Sequence, residues 1–159
     1  MNKKIIIIFI LTYVLISCKS VKEPRVLPKS NEVECIESIQ GNSYKYLSWG
    51  FGFNNAEAEE DALKAAVYAS MISGGAGNCT SLLDTEEISK AKDFIYEFFK
   101  KGVWYEFVIN TNKGYINPNY RLKTESGEIK LGVEVIVKTK ELREYLIQQK
   151  IIQKTMYGL

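Results

Sequence analysis

The stretch LSWGFGFNNAEAEEDALKAAVYASMI, residues 47–72, decides the fold because a strand pattern in it passes directly into a helix pattern. From 44 to 53 the side chains alternate between two sides of a predicted strand. One side carries Lys45, Leu47, Trp49, Phe51 and Phe53, and the other carries Tyr44, Tyr46, Ser48, Gly50 and Gly52. The two glycines leave the second side bare, which lets another backbone approach closely.

A helix is predicted to begin directly after this strand. Asn54 can cap it, and Glu57 follows three residues later, where a carboxylate suits the positive end of the helix dipole. The alanines of this helix share one face, at Ala58, Ala62, Ala65, Ala66 and Ala69. We predict that the alanine face packs tightly on the Gly50 and Gly52 side of the strand.

The rest of the chain adds further strand patterns and two further helix patterns. Strands are predicted at 33–39, where alternation is partial, at 103–110, and at 129–138, where alternation is clear, while a proline makes 115–128 an edge strand or a loop. Helix patterns cover residues 85–101 and the segment that opens at Thr139. Strands joined mostly by hairpins predict an α+β fold, an antiparallel or mixed sheet of four to five strands with about three helices packed mainly on one face.

The N-terminus has the pattern of a secretory signal. Lys3 and Lys4 precede an apolar run from Ile5 to Ile16. As a helix this run would be roughly 18 Å long, against about 30 Å for the hydrocarbon core of a bilayer. The run is too short to span a membrane comfortably, and the small residue Ser17 follows it as at a cleavage site.

The junction Leu15-Ile16-Ser17-Cys18 resembles the lipobox of bacterial lipoproteins. In that class the cysteine thiol receives a diacylglycerol, the preceding peptide is removed, and the new amine is often acylated. The resemblance implies a signal peptide at 1–17 and a lipid anchor at Cys18. The alternatives are an ordinary secretory peptide with an incidental cysteine, and an uncleaved anchor.

After the predicted signal peptide, the chain divides into a tether and a domain. Residues 18–32 are predicted to be the lipidated cysteine and a polar, proline-containing flexible tether, and 33–159 a single α+β domain. No acidic cluster follows Cys18, and position 19 is Lys rather than Asp, so both the surface-export and the inner-membrane retention signals are missing. We therefore expect a cell-envelope protein on the periplasmic face of an outer membrane.

The stretch from 47 to 72 also resembles the LPP20-type envelope lipoproteins. The resemblance lies in a strand ending in Gly-x-Gly, a short acidic step, and a helix with alanines at Ala58, Ala62, Ala65 and Ala69. It implies an α+β domain with a structural or assembly role. That group provides no catalytic residue to carry over.

Composition excludes several classes of function. Histidine is absent from the chain, which removes Ser-His and Cys-His nucleophilic sites and every histidine-ligated metal site. The chain has 21 basic and 19 acidic residues, and Lys3 and Lys4 fall in the predicted signal. A balanced mature chain gives no electrostatic reason to expect nucleic acid as a partner. No cofactor and no metal are predicted.

Two cysteines remain after Cys18. Cys35 and Cys79 can form a disulfide in an oxidising envelope, or they can be two small buried thiols. The glycine-rich loop before Cys79 could pose its thiol as a nucleophile, although helix termination accounts for those glycines. Likewise Gly50-Phe51-Gly52 precedes a helix as a phosphate loop would, but the third glycine and the Walker lysine are missing.

Aromatic residues suggest a binding surface. Ten tyrosines are present, and a half-exposed aromatic face favours contact with protein or glycan. Its candidate residues are Tyr44, Tyr46, Trp104, Tyr105, Tyr115 and Tyr120. The alternative is that these are strand residues that pack with their hydroxyls at the rim.

Three functions are compatible with the sequence. The first is a non-enzymatic lipoprotein held on the membrane by its lipid, with a structural, assembly or binding role toward another envelope protein or a cell-wall component. The second is a histidine-free hydrolase or glycan-active enzyme that uses paired carboxylates. The third is a small-ligand binding module. The acids of the helix start at Glu57, Glu59, Glu60 and Asp61 could bind calcium, but they lack the spacing of an EF-hand loop and suit a capped helix start.

Overall fold

The computed structural model describes residues 25–39, 43–112 and 114–153, and the predicted signal peptide and Cys18 lie outside these ranges. The described chain runs β1 Val33–Ile39, β2 Ser43–Gly52, α1 Asn55–Ile72, α2 Thr85–Lys90, α3 Lys92–Lys100, a 3₁₀ helix Val103–Phe107, β3 Val108–Asn110, a short 3₁₀ helix Pro118–Tyr120, β4 Arg121–Lys123, β5 Ile129–Val137 and α4 Thr139–Gln148. The predicted α+β fold is confirmed.

The five strands form one antiparallel sheet. Three of them pair in the order β1-β2-β5, and β3 and β4 both pair with the far edge of β5. β4 takes the first part of that edge, with Leu122 opposite Lys130, and β3 takes the last part, with Ile109 opposite Ile136. The long pair β2 and β5 therefore forms the centre of the sheet, and every other described strand pairs with one of these two.

The alanine face of α1 packs on the glycine side of β2, as predicted. A Cβ atom built on Gly50 would lie 2.2 Å from the carbonyl oxygen of Ala58 and 2.2 Å from the amide nitrogen of Ala62. One on Gly52 would lie 2.4 Å from the amide nitrogen of Ala58. The Ser48 hydroxyl donates a hydrogen bond to the Ala62 carbonyl at 2.7 Å. Helix and strand thus meet backbone to backbone, and the two glycines serve packing rather than phosphate binding.

The predicted strand 103–110 is wrong in its first half. Gly102 adopts a left-handed conformation, φ 74°, and a 3₁₀ helix follows before three residues of β3. Trp104 and Phe107 are buried, and their spacing of three places them on the same side of a helix with three residues per turn. Burial of both rings against the core accounts for the helical turn.

The two later helices are shorter than the predicted segments. The chain bends at Ala91, which separates the polar α2, with no buried residue, from α3, which buries Ile95, Phe98 and Phe99. The final helix ends at Gln148 because Lys150 adopts φ 60°. The amides of Ile151 and Ile152 turn back to the Leu146 carbonyl, which buries the Ile152 side chain.

Residues 25–32, which fall in the predicted flexible tether, lie on the domain. Val26 and Leu27 pack against the core, and Ser30 is buried. The Lys29 amide donates to Asp61 Oδ1 at 2.7 Å. Buried apolar side chains and a hydrogen bond to α1 hold this segment on the domain. The predicted boundary at residue 33 is therefore wrong, and the domain includes residues 25–32.

Cys35 and Cys79 are joined in a disulfide, with their Cα atoms 5.7 Å apart. The bond ties β1 to the glycine-rich loop after α1. The same loop forms a short parallel bridge with β1, in which the Cys35 amide donates to the Ala76 carbonyl. Because its sulfur is bonded, Cys79 offers no thiol for nucleophilic chemistry.

Candidate functional site

The six predicted aromatic residues do not form one surface. Tyr46 and Trp104 are buried in the core. Tyr44 shares the helix-covered side of β2 with Tyr46, because both fall on the side of the strand that carries Gly50. Tyr105 and Tyr115 are 63% and 69% exposed, and Tyr120 is half-buried. The prediction of a common aromatic face is therefore wrong.

Tyr46 serves the core. Its hydroxyl lies 3.1 Å from the Ser70 hydroxyl, which also lies 3.0 Å from the Ala66 carbonyl. Burial raises the pKa of Tyr46 to about 12, because the charged phenolate would lose its water. The hydroxyl pair links the centre of β2 to α1 and is closed to a binding partner.

Within the described ranges no α-helix covers the other side of the sheet, which we call the open face. It contains Lys45, Leu47, Trp49 and Phe51 of β2, Lys130, Glu134 and Ile136 of β5, Ile109 of β3 and Leu122 of β4. Ile109 and Leu122 are 45% and 51% exposed, and the others are half-buried. Single exposed apolar side chains are ordinary, whereas several on one sheet face indicate an interaction surface.

An aromatic and cationic cluster occupies the centre of the open face. The Tyr120 ring meets Trp49 edge-on, with 5.8 Å between ring centroids. This contact crosses β5 at Gly132, where an added Cβ would lie 3.0 Å from the Cβ of Tyr120. The Lys130 ammonium lies 5.0 Å from the Trp49 ring centroid and 2.6 Å from a Glu32 carboxylate oxygen. The rings are thus fixed in place and partly exposed.

A second surface lies where the described chain begins, and we call it the N-terminal groove. Its volume is about 830 Å³, and it is lined by Arg25, Val26, Glu60, Lys64, Tyr96, Phe99, Lys100, Gly102, Trp104 and Tyr105. Trp104 forms the floor, stacked on Phe99 with 6.3 Å between ring centroids. Tyr105, which meets the edge of Trp104, stands at the rim. Two of the predicted aromatic residues, Trp104 and Tyr105, therefore come together here.

Two carboxylates near the start of α1 accept hydrogen bonds from backbone amides. Glu57 accepts hydrogen bonds from the Phe53 amide and from the Asn54 side chain, and the Asn54 side chain accepts from the Glu57 amide. Asp61 accepts from the amides of Lys29 and Phe51. These carboxylates cap the helix and fasten the N-terminal segment, which is the role predicted for a capped helix start.

The described ranges contain no group of three or more Asp, Glu or Cys residues placed to hold a metal ion. In the same part of the chain every fully buried side-chain nitrogen or oxygen already has a hydrogen-bond partner. None of the helices there has the length and the apolar run that a membrane crossing needs.

Sequence reasoning missed most of the open face. Leu47, Trp49 and Phe51 were visible in the alternation of β2, on the side away from the glycines. Ile109 and Leu122 were not, because β3 and β4 are only three residues long and so short a segment shows no period.

Comparisons with protein-family models, with curated proteins and with solved structures found no match to this chain.

Proposed function

We propose that this chain is a non-enzymatic lipoprotein of the cell envelope, anchored through Cys18, whose open face binds another envelope protein. The resemblance of residues 15–18 to a lipobox supports the anchor. The disulfide between Cys35 and Cys79 suits an oxidising compartment. The periplasmic face of an outer membrane and the likeness to LPP20-type lipoproteins belong to the same proposal.

The observation that carries the binding role is the composition of the open face. Aromatic and aliphatic side chains occupy it together with charged side chains that form ion pairs, such as Lys45 with Glu134 at 3.0 Å. Protein interfaces combine aromatic anchors with a polar surround. Both lysines of this face are paired with carboxylates, which suits a protein partner better than a nucleic acid.

A carboxylate enzyme finds less support. Catalysis by two acids needs carboxylates free to exchange protons with a substrate. Both oxygens of Glu57 and both of Asp61 accept hydrogen bonds from the protein.

Site-specific photocrosslinking in intact cells tests the binding role. A photoreactive residue at Ile109, on the open face, should form an adduct that the exposed position Arg143 on α4 does not form. Leu122→Asp should abolish the adduct at Ile109, because it replaces an exposed apolar contact of the same face by a hydrated carboxylate. Equal adducts at the two positions, or an adduct that survives Leu122→Asp, would contradict the proposed surface.

The anchor has a separate test. Cys18→Ala should leave an unprocessed precursor that keeps residues 1–17, since the thiol is the group that receives the lipid. Normal processing of this variant would remove the basis for the anchor.

A further inference from the structure

The N-terminal groove combines cations with exposed aromatic rings. Arg25, Lys64 and Lys100 line it. Lys64 pairs with Glu60 at 2.8 Å and Lys100 with Glu97 at 3.6 Å, so these side chains leave an excess of one positive charge. The Lys64 ammonium lies 5.6 Å from the Trp104 ring centroid. Phosphate groups attract such cations, so the charge of this groove suits an anionic surface.

Its rim carries two tyrosines. Tyr96 and Tyr105 are both exposed, and the Lys100 ammonium lies 5.7 Å from the Tyr96 ring centroid. Tyrosine and tryptophan favour the headgroup level of a bilayer, because one end of the side chain is apolar and the other is polar. Lysine stems can lie along the same surface while their ammonium groups reach the phosphates.

The groove also lies at the end of the described chain that leads to the predicted anchor. Arg25 lines it, and Arg25 follows Cys18 by only seven residues. Seven residues span at most about 25 Å when fully extended. The packing of residues 25–32 on the domain shortens the tether predicted from the sequence, so a lipid on Cys18 would hold this groove close to the bilayer.

We propose that the N-terminal groove docks on the anionic phospholipid headgroups of the leaflet that carries the Cys18 lipid. This inference rests on the proposed lipid anchor. The lipid on Cys18 attaches the protein to the bilayer, and the groove sets the orientation of the domain on the bilayer surface. A cation close to an anionic leaflet strengthens binding by about fivefold, an effect that extends only over about 8–10 Å at physiological salt. Groove cations can therefore act only when the groove itself meets the surface.

The two tryptophans of the chain report on different surfaces. Trp104 lines the groove, and Trp49 lies on the open face. The lipidated mature protein should be incorporated into vesicles of phosphatidylcholine, or of an equimolar mixture with phosphatidylglycerol. Both should contain a lipid with a nitroxide on its headgroup, which quenches nearby tryptophan fluorescence. Trp49→Phe leaves Trp104 as the single reporter, and Trp104→Phe leaves Trp49.

We expect stronger quenching of Trp104 than of Trp49, and more of it in the anionic vesicles. The double variant Arg25→Glu with Lys100→Glu should lower Trp104 quenching to the level of Trp49. The matched control, Lys123→Glu with Lys140→Glu, changes the net charge equally at exposed positions outside the groove and should leave quenching unchanged. Circular dichroism of each variant confirms that it is folded.

Three results would overturn the docking proposal. They are equal quenching of both tryptophans, the same Trp104 quenching in vesicles without phosphatidylglycerol, and quenching that withstands Arg25→Glu with Lys100→Glu. A groove that binds a protein instead would give the first of these results. A mature protein that does not incorporate into any vesicle would instead refute the lipid anchor, and the docking proposal would fall with it.

Discussion

Replacing Gly50 by alanine tests the contact between α1 and β2 on which the fold depends. The new Cβ would lie 2.2 Å from the Ala58 carbonyl oxygen and the Ala62 amide nitrogen, and 2.9 Å from Ala62 Cα. Non-bonded heavy atoms normally rest about 3.5–4.0 Å apart. All three obstacles are backbone atoms of a helix, so no side-chain rotation relieves the overlap, and helix and strand must separate.

The expected cost follows from two opposing effects. Overpacking of a core costs about 1–3 kcal/mol, and backbone obstacles place this site at the upper end. Alanine recovers about 0.5–1 kcal/mol relative to glycine in a strand, because glycine loses more conformational freedom on folding. We therefore expect Gly50→Ala to lower the free energy of unfolding by about 2–2.5 kcal/mol.

Urea unfolding of the disulfide-bonded protein, followed by circular dichroism and tryptophan fluorescence, measures this change. With a slope of about 1–3 kcal/mol per molar urea, the midpoint should fall by about 0.7–2.5 M.

Gly102→Ala is the matched control. Nothing lies within 4 Å of its added Cβ, and only its φ of 74° is unfavourable, at about 1 kcal/mol. A Gly50→Ala protein that unfolds at or above the midpoint of Gly102→Ala would refute the close-packing argument.

Three further predictions concern the core. Replacing both Cys35 and Cys79 by serine should cost about 4 kcal/mol, the chain-entropy value for a loop of this length; a urea midpoint equal to that of the oxidised protein would contradict it. Ala62→Leu should cost about 1–3 kcal/mol through overpacking, and an unchanged melting temperature would argue against it. Above pH 10 unfolded Tyr46 loses its proton while the folded residue, with a pKa of about 12, keeps it, so stability should fall between about pH 10 and 12. Tyr46→Phe should lose less stability over this range in thermal melts, and parallel pH profiles would count against the buried-hydroxyl account.

The sequence predicts the parts of the fold in which a periodic pattern of side chains extends over many consecutive residues. The alternation of β2 and the alanine spacing of α1 each extend over many residues, and the pair Gly50 and Gly52 shows which sides meet. The strand prediction was wrong for Val103 to Phe107 because the β-branched and aromatic residues of this stretch favour a strand. Trp104 and Phe107 would lie on opposite sides of a strand, and burying both on one side takes a helical turn. The packing of Val26 and Leu27 was hidden by the polar residues around them.

The candidate surfaces were less predictable because they are assembled across the chain. Trp49 and Tyr120 meet over Gly132, and no local pattern connects three positions so far apart. The N-terminal groove joins Arg25, Lys64 and Trp104 from three separate segments. The tyrosines were grouped by composition, yet burial divides them between the core, the groove rim and the open face.

The mass of the N-terminal peptide of the mature protein shows whether Cys18 carries a lipid. We expect a peptide that begins at Cys18 and carries the added mass of a diacylglycerol. A mature protein that begins at any other residue, or a Cys18 without that mass, would contradict it.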